Sequence, residues 1–458
     1  FKGAESMEIL FPGIIITYIE CFQPLFKAKN FTYFQGFILS FMMLGETRKC
    51  VTNISKICFF VNKHISSWER FLSKYQWDSN QVKSMVFSLI KKQFEEKLLV
   101  YGSYLCWVDT TLVSKVRGKM PGVQKWFDHS GNPNRGEYMI GHHWALVGLI
   151  CSTIIGGEIT TLCWPLLAGL ISGHTAPIGF TVDVQGVSRV MTFWDTVCPL
   201  IGQLQGILNK APMRVVADAY FSKAPFINSM LERRIHVITR MRFDAVGWDD
   251  PEISTQAADG KKKRGRPRKK PQIGKEWKIA NLIKVFPLEK VQISIYGKMK
   301  TLQIVTRDLW IRDVTSQKIR VVVIKRSNAV PVIFISTDLT LTAKQIIEIY
   351  SMRFSLEISI RDLKQNFGLT NYQFTTFLSI NRFVSLTLVS FCLWRLALIK
   401  DFNAHWLHTT ENFASLSFKR ISRAVRKNVI QRIFETSASD ADFQNSQGIK
   451  ENIIQLVA

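Results

Sequence analysis

One aromatic and four charged residues recur at helical spacing within the otherwise apolar stretch YSMRFSLEISIRDLK. They are Tyr350, Arg353, Glu357, Arg361 and Lys364. At roughly 100° per residue they fall within an arc of about 80°, so they share one face of a helix over about four turns. A solvated face with i,i+4 ion pairs is the ordinary explanation of such a stripe. The other explanation is chemical, because a carboxylate can bind a divalent metal where further acids meet it, while the neighbouring cations bind phosphate.

Two further acids follow apolar stretches that are typical of buried strands. Asp109 stands in CWVDTT and Asp218 in VVADAYF. A carboxylate in such surroundings is costly unless it is paired or bound to metal. If the two strands are neighbours and Glu357 reaches them from a packed helix, the three acids form a cluster for two divalent metals, and Mg²⁺ prefers such oxygen ligands. A turn or cap role for Asp109 and a helix N-cap role for Asp218 are the alternatives.

The charge balance indicates which partners this chain attracts. Its 458 residues carry a formal net charge of +25, from 60 Lys and Arg against 35 Asp and Glu. The length predicts two or three domains, and the 47% hydrophobic content excludes a disordered chain. Because so large a positive charge attracts polyanions, nucleic acid is the first candidate partner and an anionic membrane surface the second.

The apolar stretch from His143 to Gly173 tests for membrane insertion. Glu158 divides it and Pro165 interrupts its second half, so neither part reaches the roughly 18–20 apolar residues that span a bilayer. The two parts predict buried strands, and no membrane is predicted as a partner. The eight cysteines include no CxxC pair, which indicates free thiols in a reducing cytoplasm rather than a zinc site. His142 is likewise predicted to be a neutral core histidine rather than a metal ligand.

Hydrophobic periodicity changes along the chain and predicts an α/β fold with a mixed sheet flanked by helices. Helix resumes after the β-rich part with Thr340 or Thr342 as N-cap, and it ends at Phe367-Gly368. The predicted regions are a helical N-terminal DNA-binding region, 1–95; the first part of a catalytic core, 96–242; a β-rich insertion with a basic loop, 243–338; the last core helix, 339–375; and a helical C-terminal region, 376–458.

In these motifs the chain resembles insertion-sequence DDE transposases that carry a Y-R-E-K signature. Tyr350, Arg353, Glu357 and Lys364 reproduce that signature with its spacing. The sequences DTT at Asp109 and ADAYFSKAP at Asp218 look like the first and second acidic motifs of the same group. The resemblance extends over roughly residues 95–375 and includes a β-rich stretch between the second acid and the glutamate. Relatives often carry another acid just before the first one, where this chain has Val108.

The resemblance implies an RNase H-like fold and cut-and-paste DNA transposition. Asp109, Asp218 and Glu357 would be catalytic and hold two Mg²⁺ per active site, with Mn²⁺ as a substitute. Water would cleave one strand at the element end, and the freed 3′-OH would form a hairpin that is reopened before it joins target DNA. Tyr350, Arg353 and Lys364 would hold DNA near the cut, and Arg361 is added because it shares their face. A homodimer on double-stranded DNA, binding element ends and target, is expected.

An aromatic residue from the β-rich region stacks on a flipped base in relatives, and Trp310 is the candidate here. Trp248 and Trp277 lie in or beside the same region. Core packing is the alternative for each of the three. The prediction therefore assigns Trp310 to DNA binding.

The segment KKKRGRPRKK, Lys261 to Lys270, contains no acid. Its charge density and its Gly and Pro predict a segment without helix that is disordered when free. The core RGRPR resembles an AT-hook, because Pro267 keeps the chain extended and arginines suit a narrow A·T minor groove. Arg264, Arg266 and Arg268 are therefore predicted to bind DNA, and a solvated loop is the alternative.

Two other basic segments have no assigned partner. Lys115, Arg117 and Lys119 follow Asp109 in a predicted loop that either touches DNA or is solvated. Near the C-terminus, FKRISRAVRKNVIQRIF places an apolar stripe that includes Val425 and Val429 on one side of a basic helix. That helix could dock on a partner helix, DNA or a membrane.

The leading hypothesis is an active DDE transposase in the bacterial cytoplasm, associated with the nucleoid. A catalytically inactive DNA-binding descendant and an RNase H-like nuclease that only hydrolyses DNA are the alternatives. The presence of all three acids argues against the first alternative. The sequence begins at Phe1 rather than Met, which leaves Met7 as a candidate start and a decayed copy as an open possibility.

Overall fold

The computed structural model describes residues 10–58, 61, 63–115, 120–128, 136–155, 157–171, 181–184, 187–190, 192–250, 275–295, 298–312, 314–401 and 418–439. The chain forms two compact units. The first unit comprises Phe1–Leu99, Thr110–Lys210 and Ser355–Ala458, and the second comprises Val100–Asp109 and Ala211–Phe354.

The helices alternate with longer β segments along the chain. They are α1 Gly13–Glu20, α2 Ala28–Met43, α3 Val51–Ile57, α4 Ile65–Ser73, α5 Ser79–Phe94, α6 Phe193–Ile207, α7 Ala224–Glu232, α8 Leu282–Val285, α9 Ala343–Met352, α10 Phe354–Gln365, α11 Phe377–Asp401 and α12 Phe418–Ser439. Short 3₁₀ turns lie at Gln23–Leu25, Glu95–Leu98, Ala219–Phe221 and Ile279–Asn281.

The strands are β1 Leu99–Val100, β2 Ser103–Ser114, β3 Gln124–Phe127, β4 Tyr138–Ile155, β5 Glu158–Leu170, β6 Thr181–Val184, β7 Val187–Val190, β8 Met213–Ala217, β9 His236–Met241, β10 Val246–Trp248, β11 Glu276–Lys278, β12 Glu289–Ile295, β13 Lys298–Ile311, β14 Val314–Ile324 and β15 Val332–Ser336. Strand β2 passes from the second unit to the first between Asp109 and Thr110.

The first unit is built around helix α11, which packs against α1, α2, α4, α5 and strand β5. Among the described residues, this is the one helix long and apolar enough to cross a membrane, over Phe377–Lys400. The most apolar stretch of this helix is 89% buried inside the protein, as expected of a core helix. Arg382 enters this core and donates hydrogen bonds to the carbonyl oxygens of Tyr75 and Trp77. Burial lowers the pKa of the Arg382 guanidinium, so these carbonyl acceptors stabilise a charge that would otherwise be costly there.

The predicted strands within His143–Gly173 are confirmed, because β4 and β5 form a long antiparallel hairpin in the first unit. The first-unit part of β2 lies beside β4. Gly141 allows that approach, since a Cβ atom there would meet the carbonyl oxygen of Val113 at 2.1 Å. This region therefore fixes the strand that continues from Asp109.

The second unit contains a mixed sheet in the order β11-β10-β13-β14-β15-β9-β8-β2, with β12 on the far side of β13. Strands β2, β8 and β9 are parallel, and β9, β15, β14 and β13 pair antiparallel. Strands β10 to β15 lie within the stretch 243–338 that was predicted to be β-rich. Within that stretch, the run KIANLIKVF forms a 3₁₀ turn and helix α8 rather than a strand. Short apolar runs fit either period, and its buried residues Ile279 and Leu282 pack into the core of this unit as a helical turn.

The fold confirms the predicted α/β class, with a mixed sheet, flanking helices and helical terminal regions. Of the two predicted N-cap candidates, Thr342 caps α9, and it exchanges hydrogen bonds with Gln345 in a capping box. The single helix predicted from Thr342 to about Asn366 is two helices. Arg353 separates them, and its N–H donates to the carbonyl oxygen of Tyr350 at 3.1 Å, the i→i−3 bond of a tightened turn.

Candidate active site

Asp109 and Asp218 belong to two neighbouring parallel strands of the second unit. The register pairs Tyr104 with Met213 and, three residues on, Trp107 with Val216. Carried forward by two residues, the same register places Asp109 alongside Asp218. Asp109 lies within β2, two residues beyond the last residue that pairs with β8, and Asp218 follows the last residue of β8. The acids thus lie where these two parallel strands part, and ligands often bind beyond the carboxyl ends of parallel strands. Both carboxylates also raise the pKa of Tyr350, so the structure brings these two predicted acids to one place.

The backbone at Asp218 is fixed on both sides. Strand β8 ends at Ala217, and the Asp218 carboxylate accepts a hydrogen bond from the Tyr220 N–H at 3.0 Å. The Thr239 hydroxyl on β9 donates to the Asp218 carbonyl oxygen at 2.5 Å. Asp218 thus has the cap role that was considered as an alternative. A carboxylate has two oxygens with about four lone-pair sites, so this single hydrogen bond leaves acceptor capacity for a metal ion.

The Arg353 side chain lies on the first acid. Its Nη2 donates to Asp109 Oδ2 at 2.8 Å, and the two side chains are 12% and 17% exposed. Such a charge-assisted bond is stronger than one in open water, because little solvent competes for either group. Arg353 was predicted to bind DNA, and in this structure its guanidinium neutralises the acid that was predicted to bind metal.

The phenol of Tyr350 lies close enough to both acids and to Arg353 for their charges to shift its pKa. Burial raises the pKa of its phenol, the charges of Arg353 and Arg240 oppose that effect, and Asp218 and Asp109 add to it. Its ring packs on Phe334 with centroids 4.6 Å apart. The phenol consequently stays protonated at neutral pH and can donate one hydrogen bond.

Glu357 lies in the first turn of α10 and is exposed. Arg361 is exposed one turn further on, whereas Lys364 donates from Nζ to the Leu112 carbonyl oxygen on β2 at 3.1 Å. The residues of the predicted common face therefore have different contacts. Lys364 ties the helix to a strand of its own unit, whereas Glu357 and Arg361 are exposed.

A buried polar network adds a second tie between β2 and the segment after α10. Lys115 Nζ donates to the carbonyl oxygens of Thr370 at 2.8 Å and Tyr372 at 2.7 Å, and it lies 3.6 Å from the centre of the Tyr372 ring. The Tyr372 hydroxyl accepts from Trp144 at 2.8 Å and bonds His142 Nδ1 at 2.7 Å. Lys115 is 6% exposed, so the prediction that it touches DNA or solvent is wrong.

Burial sets the protonation of this network. It lowers the pKa of Lys115 to about 7, and the charge of Arg48 adds to that effect. It also lowers the pKa of His142 to about 4, so His142 is neutral, as predicted. The sequence alone does not show that Arg48 and Tyr372 lie beside Lys115. Tyr372, for example, is 257 residues further along the chain.

Trp310 lies on β13 and is half-buried, with its indole N–H donating to Asp250 Oδ1 at 3.0 Å. The neighbouring Trp277 donates to Asp249 at 2.6 Å. These contacts involve the indole nitrogen and not the ring face, so stacking of Trp310 on a base stays a prediction.

Charged residues beside Trp310 line a cavity of about 490 Å³ in the second unit, which the sequence did not indicate. The lining residues are Asp249, Asp250, Thr306, Arg307, Asp308, Lys318 and Arg320. Each acid is paired with a cation, as in Arg307–Asp249 at 2.8 Å and Arg320–Asp308 at 2.8 Å. The cavity is therefore a neutral ion-pair network rather than a metal site.

The two acids just beyond the paired parts of β2 and β8 suit a divalent metal. Asp109 and Asp218 supply carboxylate oxygens, the ligands that Mg²⁺ prefers, and Mg²⁺ usually keeps several waters or phosphate oxygens in addition. Among the described residues, no group of three or more His, Cys, Asp and Glu side chains is close enough to hold a metal ion. Glu357 as a third ligand stays a prediction. Arg264, Arg266 and Arg268 lie outside the described residues.

Comparisons with known proteins bear on these observations. Residues 21–293, more than half of the chain, match the family model "DDE superfamily endonuclease". Residues 306–403 match "Archaeal putative transposase ISC1217". Among solved structures, the chain is similar to a piggyBac transposase synaptic complex with hairpin DNA, determined by cryo-EM, at 10% identity and a TM-score of 0.40, over 98% of this chain and 84% of that one. A comparison with curated proteins gives no match.

Proposed function

The chain belongs to the DDE superfamily endonucleases, and we propose that it catalyses cut-and-paste transposition of an insertion sequence. The observation that carries this proposal is the alignment of Asp109 on β2 with Asp218 just after β8, together with the bond from Arg353 to Asp109. Two acids and a cation at one sheet edge suit phosphodiester chemistry, because the acids bind metal and the cation binds phosphate.

The reaction breaks and remakes phosphodiester bonds without an external energy source. Water attacks a phosphorus atom at the element end, and the bond to the 3′ oxygen breaks to leave a 3′-OH. That hydroxyl then attacks the opposite strand, so each step forms one P–O bond and breaks another. Two bound divalent ions would activate the attacking oxygen and stabilise the leaving oxygen.

The residues of this chain divide the remaining work. Asp109 and Asp218, with Glu357 as the proposed third acid, hold Mg²⁺ or Mn²⁺. Arg353 neutralises phosphate charge once its guanidinium leaves the Asp109 carboxylate. Tyr350, protonated at neutral pH, donates a hydrogen bond to a phosphate or sugar oxygen near the cut.

Double-stranded DNA is the proposed partner, in keeping with the net charge of +25. A cut-and-paste reaction joins two element ends, so we propose that a homodimer on DNA performs it. Light scattering of the protein–DNA complex measures the number of protomers. A cleavage-competent complex that contains one protomer would refute the dimer and leave the chemistry intact.

Cleavage of a labelled duplex that carries the element end tests the function. The wild type with Mg²⁺ should give a nick and then a hairpin, while Asp218→Asn should give neither and still bind the duplex. Nicks without hairpin or strand transfer would instead support a nuclease that only hydrolyses DNA. Binding without any cleavage by the wild type would support an inactive descendant.

A further inference from the structure

The C-terminal helix α12 has one face buried within its own unit. Phe418, Ile421, Val425 and Val429 are at most 5% exposed. The Phe418 ring packs on Phe367 and Phe391, with centroids 4.8 and 5.2 Å away. On the neighbouring helix α2, the Met42 carbonyl oxygen accepts a hydrogen bond from the Ser422 hydroxyl at 2.6 Å. The apolar stripe that the sequence offered to a partner is therefore covered by the chain itself.

The other faces of α12 carry cations without any acid from Phe418 to Arg432. The cations are Lys419, Arg420, Arg423, Arg426, Lys427 and Arg432. Four of them are exposed, namely Lys419, Arg420, Arg423 and Lys427. Arg420, Arg423 and Lys427 fall within an arc of about 60°, and the cations extend along about 20 Å of helix. We call these three residues the α12 stripe.

Glu46, which follows helix α2 in the chain, forms ion pairs with α12. Glu46 Oε1 lies 2.9 Å from Lys419 Nζ and 2.7 Å from Arg423 Nη2. Hydrogen bonds from Lys419 and Arg423 lower the pKa of Glu46, so it stays ionised at neutral pH. Exposed ion pairs of this kind are weak, so Lys419 and Arg423 can exchange the Glu46 carboxylate for a phosphate.

We propose that the α12 stripe binds the phosphate backbone of duplex DNA, as a surface additional to the residues around Asp109 and Asp218. The choice of DNA as partner rests on the proposed function. Lys and Arg side chains on a straight helix match regularly spaced phosphates, and such contacts add affinity without reading sequence. The buried apolar face argues against a membrane, because an interfacial helix binds lipid by inserting that face.

The salt dependence of binding to a random-sequence duplex tests the proposal. The variant Arg420→Gln/Arg423→Gln/Lys427→Gln removes three cations from the stripe. The control Lys91→Gln/Lys92→Gln/Lys97→Gln removes three exposed cations from α5 and the turn after it, in the same unit. Both variants have the same net charge, so any difference between them reports position rather than total charge.

At ~100 mM salt the stripe variant should bind the duplex at least about tenfold more weakly than the wild type does. The magnitude of the slope of log K against log salt should fall by up to ~2.7. The control should lose only a few-fold, and both should keep the thermal midpoint of the wild type. Equal slopes in stripe variant and control would overturn the proposal. So would a stripe variant that loses binding to vesicles with anionic lipid but keeps binding to DNA.

The same proteins separate this inference from the proposed function. If the wild type binds duplex DNA through the stripe but never cleaves an element end, the inference stands and the transposase assignment fails. If the wild type cleaves and the stripe variant binds like the wild type, only the inference fails. A wild type that binds no duplex DNA at all overturns both.

Discussion

The guanidinium of Arg353 and the carboxylate of Asp109 are joined by a bond of 2.8 Å although 244 residues separate them. Arg353 stands between α9 and α10, and Asp109 lies where β2 passes from the second unit to the first. A metal that binds Asp109 would compete with this cation for the same carboxylate. We therefore expect metal binding at Asp109 to release the Arg353 guanidinium.

Replacing Arg353 with Ala should tighten the binding of Mn²⁺ in the absence of DNA. The variant removes a competing charge-assisted bond, which is worth about 1.5–3 kcal/mol, so an increase of about tenfold is expected. Isothermal titration calorimetry measures this directly and does not depend on catalysis. The exposed Arg361 on α10 provides the control, since Arg361→Ala should leave the metal affinity unchanged. Unchanged or weaker Mn²⁺ binding by Arg353→Ala would contradict the competition.

Replacing Glu357 with Ala should abolish Mg²⁺-dependent cleavage and leave DNA binding within a few-fold of the wild type. The reason is that phosphate contacts supply most of the affinity, whereas the third acid completes the metal site. Gel-shift titration and a nicking assay on one duplex measure the two properties. Glu348→Gln is a suitable control, because Glu348 lies on the preceding helix α9 and accepts a hydrogen bond from the Tyr101 hydroxyl. Robust cleavage by Glu357→Ala would exclude Glu357 from the active site.

The stability of the protein should depend on pH through Lys115. Its pKa is lowered to about 7 in the folded chain from an ordinary value of 10.5, so between these values the unfolded state binds more protons. The free energy of unfolding contributed by this group therefore rises with pH across that window, by at most about 1.4 kcal/mol per pH unit. Lys115→Met should remove the slope.

Urea unfolding at pH 7, 8 and 9 measures this effect. In the folded chain, His142 and Tyr372 beside Lys115 do not change charge in this window, because His142 has a pKa of about 4 and burial raises the pKa of Tyr372. The exposed Lys91 is the matched control, and Lys91→Met should keep the wild-type slope. A Lys115→Met slope equal to that of the wild type would show that Lys115 stays charged in the folded state.

The sequence predicted those features that depend on short stretches of chain. Asp109 and Asp218 each end an apolar run, and the Thr342 capping box lies within four residues, so local signals were sufficient. The ion pair of Arg353 and the burial of Lys115 could not be predicted in this way. Lys115 looks solvated until the segment that covers it is known, and that segment, with Thr370 and Tyr372, is distant in sequence.

The same limit explains why the sequence predicted one helix where the structure has two, α9 and α10. Helical periodicity continues through this residue, and its φ of −58° and ψ of −24° are still helical. Only the tightened hydrogen bond to Tyr350 divides α9 from α10.

Replacing Arg264, Arg266 and Arg268 with Ala should weaken DNA binding and leave the fold and the cleavage chemistry intact. The strands on either side of this basic segment are held independently of it, because β10 and β11 pair antiparallel and the Asp249 N–H donates to the Lys275 carbonyl oxygen at 3.0 Å. The salt slope of binding should fall by up to about three phosphate equivalents. The loss should be greater on A·T-rich duplexes, whose narrow minor groove attracts arginine.

Three exposed lysines of the same β-rich region, Lys284, Lys290 and Lys300, give a control of equal charge. Their triple replacement with Ala should preserve the preference for A·T-rich DNA, whereas the arginine variant should lose it. Competition binding with A·T-rich and G·C-rich duplexes distinguishes the two. If the arginine variant binds element ends with the affinity, salt slope and A·T preference of the wild type, the segment from Lys261 to Lys270 is a solvated spacer, and the resemblance of RGRPR to an AT-hook has no consequence for binding.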